Sequence, residues 1–488
     1  MSARKADIVI VGAGFAGLGA ADAIAQYNLL ASKTGGQPLS YVLLEGADRA
    51  GGRTSTVVTD PQYGEVGYID VGGEYLGTTQ SYMADLVDRL NVSTFETSFP
   101  DDKESIFQAP GDGQLTYFLG NYPITLNIYK TIQTIEALTQ TTKASLAEPW
   151  NALMAPALDS ITVKDWSVAA LGNDAYGQEL MELAIRCAFS VEWDQMSMLF
   201  LLFYGATCGS FEAFENVTGA EGGDRIRFTY GTQSLVKAML ESFKADARYL
   251  GFHTGQRVEK IQQNPGGATI VTVNGGADTW EAGQVIVAMS PRPSLKINYD
   301  PDLPAARRGL AEGMRMGHTI KGFLLYDKPW WRNNYTGYVL SAKGPACWVM
   351  DNTWQDPDTK AFKHPALMTF IAGAFADAAP KTKEGRRDAL AAQMADIFQD
   401  PRALKPTGYI ESDWQSDPFA GGCPAAVPQV GAIMKYRSAI RDKFGTIHWA
   451  GSEAGLEWTG GYMNGAVQSG VRAAGEAINA LLFPALYP

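Results

Sequence analysis

The strongest constraint on this chain lies close to its N-terminus. Asp7-Ile-Val-Ile-Val11 is an apolar, β-branched run, followed by Gly12, Gly14 and Gly17 and then by the alanine-rich stretch Leu18 to Ala25. Strand, glycine turn and helix in that order is the context in which Gly-x-Gly-x-x-Gly carries meaning; elsewhere the same triplet is an ordinary turn. Each glycine has a task. Gly12 permits the tight turn, Gly14 lets backbone approach a pyrophosphate, and Gly17 lets the helix pack against the sheet. The unsatisfied N–H groups of the helix N-terminus then face the phosphate charge. A second strand, Tyr41 to Leu44, ends at Glu45. An acid there accepts hydrogen bonds from the ribose hydroxyls of an adenosine and repels a 2′-phosphate. Glu45 comes later than the usual ~20 residues, and residues 27–40 read as a polar, glycine-containing surface insertion that accounts for the delay. Together these features specify a Rossmann-type dinucleotide site.

With 488 residues, the chain exceeds the roughly 250–300 at which single cores stop growing, so two domains are expected. A hydrophobic content of 46% and a charged content of 19% exclude a disordered chain. The net charge of -12 disfavours a nucleic-acid partner. Cys187, Cys208, Cys347 and Cys423 form no Cys-x-x-Cys pair, so no zinc site, dithiol motif or disulfide framework is indicated, and a reducing, cytoplasmic location is expected. The histidines His253, His318, His364 and His448 occur singly, and no metal is expected. No apolar stretch reaches the ~18–20 residues of a membrane span. The first apolar run belongs to the nucleotide motif, and Pro484 breaks the C-terminus. Neither a signal peptide nor a membrane anchor is therefore expected.

Gly51-Gly52-Arg53-Thr54 follows soon after Glu45. Arg53 has the fork to donate two hydrogen bonds to a pyrophosphate, although alone it reads as a surface arginine after a turn. The whole run Val42 to Thr54 resembles the second FAD motif of the flavin amine oxidase family, which contains monoamine, polyamine and L-amino-acid oxidases. Further segments match in order: Asp70-Val-Gly-Gly-Glu-Tyr75, Val258 within Gln256 to Lys260, Ala288 to Pro293, Met316 to Lys321, Lys328-Pro-Trp-Trp331, Trp449-Ala-Gly-Ser-Glu453 and Trp458 to Met463. The monoamine oxidases look closest, with Ala184 to Phe189 and the aromatic run Leu199 to Tyr204 similar in layout.

The resemblance implies FAD as cofactor and assigns roles by position. Gly12, Gly14, Gly17, Glu45, Gly52 and Arg53 would hold the dinucleotide, and the backbone of Val258 would contact the adenine. Glu453 would bind ribityl hydroxyls. The backbone N–H of Met463, at a helix N-terminus, would stabilise negative charge on the reduced flavin. Thr319 to Tyr326 reads as a strand with a largely buried face. By composition Lys321 would reach solvent from the strand end; by resemblance it is the active-site lysine that holds a water against the flavin. Tyr75 belongs to the turn near the flavin. Tyr462 matches one of two aromatic walls of the substrate site, with packing as its bland reading. The second wall falls on Pro424, and Gly461 is an extra residue, so Trp458 is a candidate to fill the gap. Cys423 matches the cysteine that attaches FAD covalently in monoamine oxidases, although its bland reading is a small buried residue. Phe214 would gate the cavity. Asp224, with Glu212 and Glu215, would attract a second ammonium if the substrate had one; such acids are more often simply solvated.

The expected reaction is oxidation of an amine to an imine, then aldehyde and ammonia, with oxygen reduced to hydrogen peroxide. An apolar, aromatic pocket would favour the neutral amine. The alternatives are an L-amino-acid oxidase, for which Arg225 or Arg227 would clamp the carboxylate, a secondary-amine or polyamine oxidase, and a redox-silent FAD-binding scaffold. Partners are then a small-molecule amine and oxygen, with a homodimer admitted. The fold expected is α/β plus α+β, a Rossmann-type FAD-binding domain (1–94, 235–308 and 417–488) interwoven with a substrate domain of mixed sheet and helices (95–234 and 309–416).

Overall fold

A computed structural model describes residues 3–58, 67–97, 102–119, 124–215, 223–266, 268–356, 359 and 361–486. The apolar N-terminal run forms the strand β1, Arg4–Val11, and the alanine-rich stretch forms the helix α1, Phe15–Thr34. The second strand, β2, is Tyr41–Leu44. β1 sits between two parallel neighbours, β2 and Asp278–Ala288, with Ile8 opposite Tyr41 and Gln284. Ile8, Val9 and Ile10 are fully buried, because a parallel strand covered on both faces must be apolar throughout.

Asp278–Ala288 is the spine of this eight-stranded sheet. Its first half pairs antiparallel with Thr269–Val273, and its last residues pair parallel with Ile447–Ala450. A strand from near the C-terminus thus lies two places from the first strand of the chain. α1 packs on the last helix, Met463–Leu482, through small residues. A side chain on Gly470 would overlap the Ala16 carbonyl, and one on Gly19 would press on Val467. The two backbones therefore approach closely enough to anchor both helix N-termini over the same sheet.

Residues 27–34 of the expected surface insertion continue α1, and only Gly35 to Ser40 link it to β2. No glycine or proline interrupts the chain from Ala20 until Gly35, where the backbone turns left-handed (φ 75°) and stops the helix. Buried Asn28 ties the link down by bonding both the N–H and the carbonyl of Leu39.

A second, seven-stranded sheet runs Gly408–Asp413, Thr319–Leu325, Ala366–Ala372, Trp348–Asp351, Tyr335–Ser341, Glu104–Gln108 and Leu115–Phe118. It is antiparallel apart from the pairing of Tyr335–Ser341 with Glu104–Gln108. Helices including Leu126–Lys143, Ala175–Phe189 and Met198–Thr207 contribute to an apolar cluster with Trp458. Among the described residues, no helix is long and apolar enough to cross a membrane.

Candidate active site

A cavity of about 690 Å³ runs from the glycine turn after β1 to the second sheet. At the turn, Gly12 has φ +99°, and a side chain there would come within 2.7 Å of the Ala288 carbonyl. A side chain on Gly17 would overlap the Gly12 carbonyl. Gly14 differs: the nearest protein atom to a Cβ there is 3.7 Å away, on Gly52, and both residues line the cavity. Protein packing does not demand glycine at 14; room in the cavity does. Gly14 is the N-cap of α1 and offers no side-chain cap, so the helix N-terminus opens on the cavity. Glu45 also lines this end, accepting from the N–H groups of Ala13 (2.8 Å) and Ala47 (2.9 Å). Val258 lines the wall beyond it.

Arg53 and Ser452 line the cavity, and Glu453 lies behind them. The Arg53 guanidinium donates to both Glu453 oxygens (2.9 and 3.2 Å), to Ser452 Oγ (3.0 Å) and to the Pro424 carbonyl (2.6 Å). Its fork is engaged by a carboxylate of the protein, and Glu453 points at Arg53 and not into the cavity. Burial pushes the Glu453 carboxyl up, but Arg53 outweighs that and holds it below the usual range.

Lys321 stands in the strand Thr319–Leu325, opposite Phe370 and Ser412, and lines the cavity while only 3% exposed. Its Nζ donates to the carbonyls of Asp70 (2.8 Å) and Gly72 (2.9 Å) and to Glu74 Oε2 (2.8 Å). An ammonium has three donors, and all three are taken. Holding a water would require one of these bonds to give way. Glu74 also accepts from Asn352 (2.6 Å) and pairs with Arg227 (2.8 Å). One buried carboxylate thus serves two buried cations. Burial raises the Glu74 carboxyl, and Lys321 and Arg227 together bring it below its ordinary value. In the sequence Glu74 is marked only as an acid beside a glycine turn. Asn352 carries no such mark.

The same end of the cavity carries Tyr75, Asp224, Trp348, Phe370, Trp414 and Tyr462. Trp348 and Phe370 are stacked at 4.9 Å. They lie opposite each other on adjacent strands, a pairing no local motif announces. Met463 lines the cavity, and its helix starts at Tyr462 without a side-chain cap. Cys423 and Pro424 line it too, and burial pushes the Cys423 thiol up to about 11. Two substrate candidates lie elsewhere. Trp458 is 1% exposed, packs edge-on against Tyr462 at 4.9 Å and donates to Thr79. Phe214 is enclosed by Phe189, Tyr204 and Phe211. Neither reaches the cavity lining; each is large and apolar enough to be drawn into the adjoining core. Arg225 pairs with Glu96, and Arg227 with Glu74.

The arrangement suits an elongated group with anionic middle and far portions: two uncapped helix N-termini, at Gly14 and Tyr462, open on one cavity. A model of flavin containing amine oxidoreductases matches residues 15–478. The chain is 32% identical over 477 residues to a Mycobacterium tuberculosis protein named as a flavin-containing monoamine oxidase, across 96% of each chain. It is 29% identical over 491 residues to flavin-containing amine oxidase A of Canis lupus familiaris, across 97% of this chain and 85% of that one. Among solved structures, putrescine oxidase bound to putrescine superposes with a TM-score of 0.85 at 26% identity, across 98% of this chain and 100% of that one. Cyclohexylamine oxidase from Brevibacterium oxydans superposes at 0.83 and 25%, across 98% and 99%.

Proposed function

The chain belongs to the flavin-containing amine oxidoreductases and is a flavin-dependent amine oxidase, and on that premise we propose that the flavin is FAD, bound along the cavity, and that the amine is oxidised between Lys321 and Tyr462. The observation that carries this reading is the continuity of one cavity from the Gly12–Gly17 turn to Lys321. When bound, the flavin accepts two electrons from the amine and passes them to oxygen.

The protein's part is binding, orientation and electrostatics. Gly14 and the N-terminus of α1 receive the pyrophosphate, and Glu45 the adenosine ribose. The backbone of Val258 meets the adenine, and Gly52 keeps the facing wall free of side chains. Arg53 and Glu453 form one paired unit behind the cofactor, joining its N-terminal and C-terminal motifs. The helix beginning at Met463 stabilises negative charge at its N-terminus. The Lys321 ammonium, fixed by three bonds, places positive charge where oxygen becomes negative on reduction. Tyr75, Trp348, Phe370 and Tyr462 exclude water and favour the neutral amine. Cys423 lines the cavity and is the residue that would tether the flavin. The strand partition between the two sheets supports the division into cofactor segments (1–94, 235–308 and 417–488) and substrate segments (95–234 and 309–416), and the free cysteines among the described residues fit a reducing, cytoplasmic location.

An amino-acid oxidase fits less well. Its substrate carboxylate needs a free arginine, whereas Arg225 and Arg227 are both held by carboxylates of the protein and neither lines the cavity. The test is anaerobic reduction of the purified yellow protein by a panel of amines and amino acids. Bleaching of the visible flavin band by amines supports the reading; bleaching by amino acids alone overturns it in favour of carboxylate recognition.

A further inference from the structure

The three acids Glu212, Glu215 and Asp224 are equivalent as sequence but not as structure. Glu212 and Glu215 lie exposed on the short helix Phe211–Glu215. Asp224 lines the cavity at the end that carries Tyr75, Lys321, Trp348 and Tyr462.

The Asp224 carboxylate accepts no hydrogen bond and joins no ion pair among the described residues; only its backbone carbonyl is engaged, by Thr97. Its neighbour Glu74 is in the opposite state, bonded to Lys321, Arg227 and Asn352. A half-buried carboxylate that faces a cavity without a partner is costly. The cost shows in its acidity: burial, with the Glu74 charge adding to it, pushes Asp224 up to about 7 against the pull of Lys321. The cations of neighbouring segments are already engaged. Lys321 has used all three donors, Arg227 is held by Glu74 and Arg225 by Glu96. Stacked Trp348 and Phe370 and the ring of Tyr462 line the same space, and aromatic faces also attract cations.

A partner for Asp224 can therefore come from the substrate. We propose that Asp224 is a specificity-determining residue that binds a second cationic nitrogen, so that the preferred substrate is a short aliphatic diamine rather than a monoamine of the same length. The inference rests on the amine oxidase reading and deepens it. One nitrogen is presented neutral for oxidation, and the other stays protonated against the carboxylate. The titratable groups facing Asp224 are Glu74, Tyr75, Lys321, Tyr204, Tyr338 and Tyr462. Burial raises all four tyrosines above their ordinary value, so they stay neutral near neutral pH. Glu74 is held in its charged state by its two cations.

The experiment compares kcat/KM of the holoenzyme for 1,4-diaminobutane and butylamine at about pH 8. The wild type prefers the diamine, and Asp224→Asn reduces that preference by about tenfold or more, the scale of one charge-assisted contact. Asp224→Glu, which keeps the charge, retains a preference for the diamine and guards against a merely structural effect. The wild-type preference also shrinks as pH falls below about 7 and the carboxylate takes up a proton. A wild type that prefers butylamine, or an Asp224→Asn enzyme with an unchanged ratio, overturns the proposal while leaving amine oxidation standing. Failure of every amine to bleach the flavin overturns both.

Discussion

Arg53 and Glu453, 400 positions apart, meet through two hydrogen bonds of 2.9 and 3.2 Å. The Glu453 side chain is 1% exposed and that of Arg53 22%. The pair fastens the segment after Glu45 to the C-terminal segment, directly behind the cavity wall that Arg53 and Ser452 form. Glu453→Gln leaves a guanidinium in a buried setting without its counter-charge, which costs about 3 kcal/mol or more. Denaturant unfolding of the flavin-loaded variant should show a lower midpoint at an unchanged slope.

Acid should release the same constraint. Glu453 and Glu74 both sit below the ordinary glutamate value of 4.5 when folded. Their contribution to stability is complete above that value and is lost as pH falls through their folded pKa values. Unfolding free energies measured across the acid range should fall accordingly, and Glu453→Gln should flatten its share of the slope.

Lys321 is expected to govern oxygen reactivity. Lys321→Met removes the ammonium held against the cavity by Asp70, Gly72 and Glu74. Stopped-flow mixing of the amine-reduced enzyme with oxygen should give reoxidation slower by about 10²-fold, the usual cost of removing one preorganised electrostatic contact. Glu74→Gln should act in the same direction through displacement of Lys321, with an added loss of stability because Arg227 loses the same partner.

Gly14 and Gly17 should fail in different ways. Gly17→Ala drives a methyl into the Gly12 carbonyl, and the protein should be destabilised by about 3 kcal/mol or express poorly. Gly14→Ala meets no protein atom closer than 3.7 Å, so the chain should fold. Its deficit should appear as weaker flavin retention, read by absorbance after gel filtration.

Cys423 is tested by denaturation. If it tethers the flavin, the visible absorbance should stay with acid-precipitated protein and leave it in Cys423→Ala. Release of all colour from the wild type would show a non-covalent cofactor, consistent with a thiol pushed up to about 11.

The strand, glycine turn and helix at the start of this chain were legible in its sequence, because they are contiguous and their periodicities and glycines encode backbone conformation locally. The buried strand around Lys321 was legible for the same reason, through its apolar run. The length of α1 was not legible because the glycines and polar residues at 33–38 make the whole stretch look like a loop, whereas residues 27–34 carry no residue that stops a helix. The tertiary structure decided what faces what. Lys321 meets Glu74 across 247 positions, Asp224 is left facing the cavity without a partner among the described residues, and Trp458 and Phe214 turn into the core. Such choices depend on competition among side chains for partners and for burial across two packed sheets, and no single segment contains both sides of that competition.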